Sequence, residues 1–270
     1  MLSPFEKFTF ILLSLTSLGI SYVSFGRMFR MIDLGAKKLD WWNILRKWHV
    51  GLGAFLSQKP LFKTRPIVGF IHALVAWGFT LYLVVNIIDL LYGFIPGFKF
   101  FPNTSFGNGY RLFVDIFSIL VLIGIVYFVL RRFLFIDAKL KISKPVMISE
   151  KARRGMRFDS LIVGFFIFFH VGARFLSASF EIAGSFPDNS QPAANFVATL
   201  WTEISPSSLN TLEHITWWFA LGLILIFLPY FPYSKHAHLF MGPINIMAAE
   251  NWRSIQTLEP IDFMDDKLEQ

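Results

Sequence analysis

Apolar residues fall into five long blocks, each bounded by charged or turn-forming residues. A bilayer core about 30 Å thick needs roughly 20 apolar helical residues at 1.5 Å each. The first block runs from about residue 8 to 26 and the second from about 66 to 88, with Pro66 where a first helical turn tolerates proline. The third covers about 111–130, its uncharged part starting after Asp115, and the fourth about 160–180, interrupted by His170 and Arg174. The fifth covers about 214–229 and meets a Pro-Tyr-Phe-Pro stretch that ends or bends it. Between the first two blocks, Trp41, Leu45, Trp48, Leu52 and Phe55 recur at helical spacing among Lys and Arg, which predicts an amphipathic surface helix over about 40–55. The stretch from Gly184 to Ser208 is rich in Pro, Ser and Asn and predicts little regular structure. The expected organisation is an all-α, five-helix membrane domain over 1–247, followed by an acidic tail or linker over 248–270.

Composition supports a lipid environment. Of the 270 residues 54% are hydrophobic and only 16% charged, and mean hydropathy is +0.54, where soluble domains carry about a quarter charged residues. The first block has no basic leader and is followed by Arg27 and Arg30, so it reads as a membrane helix and not as a cleaved signal peptide. Nine Lys/Arg lie between Arg27 and Arg65 and nine between Arg131 and Arg157, whereas Glu181 to Glu213 holds four acidic residues and no basic one. The positive-inside rule then places the N-terminus outside and the C-terminus in the cytoplasm. The net charge of +7 is accounted for by topology and contact with lipid headgroups, leaving no basic patch that calls for nucleic acid. There is no Cys, which excludes disulfides and a Cys-ligated iron–sulfur cluster within these residues.

The histidines carry the candidate chemistry, because polar groups inside a membrane helix are costly. His72 lies about two turns into the second helix from its cytoplasmic end, and His236 and His238 follow the fifth helix at the same side. Opposed imidazoles at one depth suit a haem iron first, with a packing role next and a quinone or proton role after it also open to residues so spaced. His170 sits near mid-membrane with Arg174 one turn further along the same face, where an anionic partner, a haem propionate or a quinone carbonyl would answer the arginine. His214, next to Glu213, opens the fifth helix at the outer surface, and His49 belongs to the surface helix.

Several motifs add a resemblance. Pro229-Tyr-Phe-Pro-Tyr-Ser-Lys-His-Ala-His238 with Gly242-Pro-Ile-Asn-Ile246, Gly69-Phe-Ile-His72 with Trp77-Gly-Phe79, and Trp217-Trp218 resemble the membrane part of heterodisulfide-reductase-like iron–sulfur oxidoreductases. The resemblance implies the fold of the cytochrome b (gamma) subunit of respiratory nitrate reductase, with five helices and haem between the second and fifth. It implies His72 and His238 as axial ligands of a haem b on the cytoplasmic side, His238 being preferred to His236. Where two-haem relatives hold their second pair of ligands, this chain has Tyr82 and Ala220, so the resemblance favours one haem. A second would need His170 or His214. Leu258-Glu-Pro-Ile-Asp262 is similar to the linker that in relatives leads to a Cys-rich cytoplasmic domain, so any [4Fe–4S] clusters would lie on a partner subunit or in a portion outside these residues.

The function expected is quinone-linked electron transfer through haem b, between a cytoplasmic iron–sulfur protein and the quinone pool of a prokaryotic inner membrane. His170, His214 and Arg174 are the further candidates for holding haem or quinone. A structural anchor without a redox cofactor and a small transporter subunit are the alternatives; the transporter is disfavoured because neither internal repeats nor paired broken helices are present.

Overall fold

A computed structural model describes residues 2–34, 40–102, 104–135 and 149–248, and the described residues form helices and turns with no strand. The expected tail, including Leu258 to Asp262, lies outside them. Five helices are long and apolar enough to cross a membrane: α1 (Pro4–Asp33), α5 (Pro66–Phe94), α6 (Ser105–Phe133), α7 (Glu150–Ala183) and α9 (Pro206–Tyr230). The protein is an integral membrane protein on that basis. Each helix outruns its uncharged block, and at four of the five (α1, α6, α7 and α9) a side-chain cap closes the N-terminus in polar sequence. Ser3 and Glu6 form a reciprocal capping box on α1, and Ser149 and Ser205 cap α7 and α9.

The spans pack through small residues. On α1, Ser17, Ser21 and Ser24 are buried along one face, and Ser17 Oγ donates to the Leu225 carbonyl of α9 at 2.6 Å. Association in lipid depends on such close approach, since burial against lipid tails provides no hydrophobic drive. Gly78 of α5 faces the Val121 side chain of α6 so closely that a Cβ there would overlap it. α7 lies against α6 and α9 and is the most deeply packed span, while α1 leans on α9. Large side chains such as Phe8, Leu15, Ile67, Phe158 and Ile226 are exposed on the flanks, where lipid would cover them.

Three short helices follow α1: α2 (Trp41–Arg46), α3 (Trp48–Ser57) and α4 (Lys59–Thr64). The stretch read as one surface helix is thus divided, with Lys47 as the hinge between α2 and α3. α3 is also covered on one side by α10 (His238–Ala248), where Gly51 packs against Met247 and the Pro243 carbonyl. Gln58 joins α3 to α4 with φ 45°, a left-handed conformation that costs a non-glycine residue energy.

The loop between α7 and α9 is more ordered than its Pro, Ser and Asn content predicts, for it holds α8 (Pro192–Ala198). The reason is remote in sequence. Asp115, buried in α6, accepts the backbone N–H groups of Ala193 and Ala194 at 2.7 and 3.0 Å and so caps α8 from a neighbouring helix.

Candidate functional site

His72 stands two turns into α5 and His238 opens α10, and their ring centroids are 6.2 Å apart with planes inclined at 44°. Different contacts bring each ring there. α4 folds back on α5 at Gly69, where a Cβ would come within 3.1 Å of the Leu61 backbone. That approach lets Gln58 put its Oε1 2.8 Å from His72 Nδ1. At the other ring, α9 ends in two 3₁₀ turns, Phe231–Tyr233 and Lys235–Ala237. Asp159 of α7 clamps this connection. Its Oδ1 accepts from the Tyr230 hydroxyl at 2.7 Å and its Oδ2 from the Lys235 N–H at 3.1 Å. Ser234 Oγ accepts the His236 N–H at 3.1 Å, and His238 Nδ1 meets the Lys235 carbonyl.

Both rings therefore have Nδ1 held by an oxygen acceptor, which in the neutral tautomer leaves each Nε2 as a free lone pair. Second-sphere contacts of this kind orient metal-bound imidazoles. A metal–nitrogen bond of about 2.0–2.1 Å and about 1.1 Å from nitrogen to ring centre, taken on both sides of one ion, give a centroid separation of about 6.3 Å. The observed centroid separation is close to that value. Among the described residues no group of three or more His, Asp or Glu could hold a metal ion.

His236 is placed differently. It is buried, its ring lies against Phe79, Phe227 and Phe231, and its Nε2 has no hydrogen-bond partner. Burial, with the charges of His238 and Lys235, pushes its pKa down to about 4, so it is neutral at pH 7.

The other candidates lie apart from this pair. His170 of α7 is 5% exposed, and its Nδ1 is 2.9 Å from the Ala220 carbonyl of α9. Its ring packs edge-on against Tyr82 of α5 at 5.5 Å, and the Tyr82 hydroxyl bonds to Ser118 of α6 at 2.8 Å. Tyr82, His170 and Ala220 thus form one contact set at mid-helix. Beside it lies a cavity of about 540 Å³, walled almost wholly by apolar side chains of α1, α5, α7, α9 and α10.

Arg174 is turned the other way. Its Nε is 3.3 Å from Asp89 Oδ2 of α5, and both side chains are largely buried. Trp217 Nε1 donates to the Asp89 carbonyl at 3.0 Å. The Arg174–Asp89 pair lines a second, polar cavity of about 470 Å³ with Tyr110, Glu181 and Glu213. At the rim of that cavity Arg111 pairs with Asp188 at 2.7 Å. Burial alone would raise the Asp188 pKa, but the Ser190 N–H, Gln191 and Arg111 together hold it below the usual carboxylate range. His214 Nδ1 is 3.3 Å from Glu6 Oε1, which also accepts from Trp218 Nε1 at 3.0 Å. Gln58, Asp159 and Asp89 did not stand out in the sequence as partners of these side chains. Asp89 stands just past the uncharged block of the second span, and α5 runs on through it to Phe94.

Known proteins resemble the chain in sequence. Over 241 residues, 88% of its length, it is 29% identical to a protein of Bacillus subtilis named "Probable iron-sulfur-binding oxidoreductase FadF". Over 189 residues, 67% of its length, it is 22% identical to an EtfAB:quinone oxidoreductase of Syntrophomonas wolfei. Its homologues are oxidoreductases. The matched segments make up 32% and 25% of these relatives, so the chain spans a third or less of their length. No family model matches the chain. No solved structure matches it either.

Proposed function

We propose that this chain is the membrane electron-transfer part of a quinone-linked iron–sulfur oxidoreductase, with His72 and His238 as the axial ligands of one haem b. The observation that carries the reading is the 6.2 Å separation of two imidazoles whose Nδ1 atoms are both held by oxygen acceptors. Haem b, when bound, supplies a one-electron redox centre. The chain's own residues do the rest. Gln58 and the Lys235 carbonyl fix the ring orientations and keep Nε2 unprotonated, and Asp159 holds the turn on which His238 sits. Phe128, next to His72, contributes to a low-dielectric surround.

One haem is favoured over two by the packing at mid-helix. The Tyr82 hydroxyl is committed to Ser118, and His170 fills the space between Tyr82 and the Ala220 carbonyl. Arg174 and His214 each answer a carboxylate, Asp89 and Glu6, and hold the acidic end of the bundle together. The named activities of the two relatives support an iron–sulfur partner, as a subunit or a further domain, and a membrane quinone as the two redox neighbours. The basic end of the bundle, where His72 and His238 lie, faces the cytoplasm of a prokaryotic cell on this reading, the side on which the iron–sulfur partner docks.

The test is reoxidation. The purified chain, reduced with dithionite and freed of excess reductant, should lose its reduced-haem absorbance within seconds of adding a short-tailed quinone. A chain without haem, or one whose reduced absorbance persists after quinone is added, contradicts the proposal.

A further inference from the structure

At the basic end of the bundle Arg132, Arg157 and Lys235 gather around Asp159. Arg132 lies in the last turn of α6, and its Nη2 donates to the Met156 carbonyl of α7 at 3.3 Å. That contact sets it beside Arg157, whose guanidinium lies over the Phe133 ring of α6, 5.7 Å from the ring centre. The two arginines thus cross between α6 and α7. Lys235, in the turn after α9, bonds to Asp159 through its backbone N–H, and its charge is repelled by that of Arg132.

These cations are poorly answered by the protein. Both oxygens of Asp159 are already engaged, one by the Tyr230 hydroxyl and one by the Lys235 N–H. Glu150, further along α7, is paired with Arg154. Arg132 Nε is buried and has no hydrogen-bond partner. An unmet buried donor is costly, and an anion that accepts from it recovers that cost.

The surface next to the cations is apolar and faces outward. Phe158, Phe165 and Phe169 of α7 are 65%, 56% and 41% exposed. Their spacing of seven and then four residues puts them on one face, which runs from the cationic cluster toward mid-membrane. A cationic head above an apolar track matches the two parts of a phospholipid.

We infer that one anionic phospholipid binds here, its phosphate accepting from Arg132 Nε and from Arg157, and an acyl chain lying along Phe158, Phe165 and Phe169. Phosphatidylglycerol suits the site because its headgroup is a net anion. Phosphatidylcholine brings a cation of its own, which Arg132, Arg157 and Lys235 repel. The inference is independent of the haem and quinone readings above.

The test is native mass spectrometry of the full chain, delipidated in detergent and titrated with dioleoyl phosphatidylglycerol or dioleoyl phosphatidylcholine. The wild type should bind one phosphatidylglycerol at least about tenfold more tightly than phosphatidylcholine. Arg132→Gln and Arg157→Gln should each weaken phosphatidylglycerol binding about fivefold, as the loss of one interfacial cation implies, and leave phosphatidylcholine affinity nearly unchanged. Lys63→Gln removes a cation of α4 at the same end of the bundle and should change binding by less than about twofold, because it lies outside the site. Arg157 is exposed, so its variant decides the matter if Arg132→Gln does not fold. Equal affinity for the two lipids, or unchanged affinity in the arginine variants, overturns the inference. So does an equal loss in Lys63→Gln, which would mean a diffuse surface charge. Displacement of the lipid by excess inorganic phosphate would mean a site for a free anion and overturns it as well. Loss of haem absorbance in folded Arg132→Gln overturns it too, because the cations would then answer the haem carboxylates.

Discussion

The ion pair between Arg174 and Asp89 offers a quantitative test of how the acidic end is held. Their atoms are 3.3 Å apart, and the side chains are only 18% and 17% exposed. At an effective dielectric of about 20 the attraction is about 5 kcal/mol, against about 1.3 kcal/mol in bulk water. Desolvation of both groups offsets much of this, so the pair is worth far less in net stability than its Coulomb term. Removing one partner leaves the other buried and unanswered. Arg174→Gln and Asp89→Asn should each destabilise the protein by about 2–3 kcal/mol, and the double variant by only about 2 kcal/mol. The coupling is then about 3 kcal/mol. The assay is unfolding in mixed micelles of increasing SDS content, followed by tryptophan fluorescence, on all four proteins of the cycle. Additive losses, with coupling under about 0.5 kcal/mol, would refute the pairing and free Arg174 for a direct role at a cofactor.

Two further outcomes follow from contacts around the sites. Gln58→Leu removes the acceptor at His72 Nδ1 and should weaken haem binding by about tenfold in titrations of the apoprotein; unaltered affinity would mean that Gln58 does not orient the ring. Asp188 has a folded pKa below its unfolded value near 3.8, so the unfolded state binds the proton more readily. Its contribution is present above that pH and is lost as pH falls through the folded value. Wild type and Asp188→Asn should therefore differ in unfolding midpoint at pH 6 and converge as the pH drops below about 3.8, and a gap that widens on acidification would give the wrong sign.

What the sequence made legible was the part that repeats or accumulates. Blocks of about 20 apolar residues are long-range signals that survive errors at any one position, which is why the five spans could be placed. Their ends were less legible because capping depends on single residues such as Ser3 and Ser149. α8 was not legible, since the carboxylate that caps it, Asp115, is 77 residues upstream of Pro192 and belongs to another helix. At the site, the likeness of His72 and His238 to a known motif brought two residues to notice whose juxtaposition depends on the tertiary fold. Their supporting contacts were hidden for the same reason. Gln58 needs a left-handed backbone that nothing in Ser57-Gln-Lys59 announces, and Asp159 reaches across from α7 to Tyr230 and Lys235. The spacing of His170 to Arg174 suggested one shared site, yet the structure divides them. His170 borders the apolar cavity, and Arg174 borders the polar one.

The central claim is that His72 and His238 hold one haem b, and it is tested most directly by a reduced-minus-oxidised absorption spectrum with haem quantified per chain. The wild type should show one low-spin haem. His72→Ala and His238→Ala should each lose it, and His236→Ala should keep it because that ring is packed among phenylalanines. A wild type without haem, or a low-spin spectrum that persists in both His72→Ala and His238→Ala, would contradict the account.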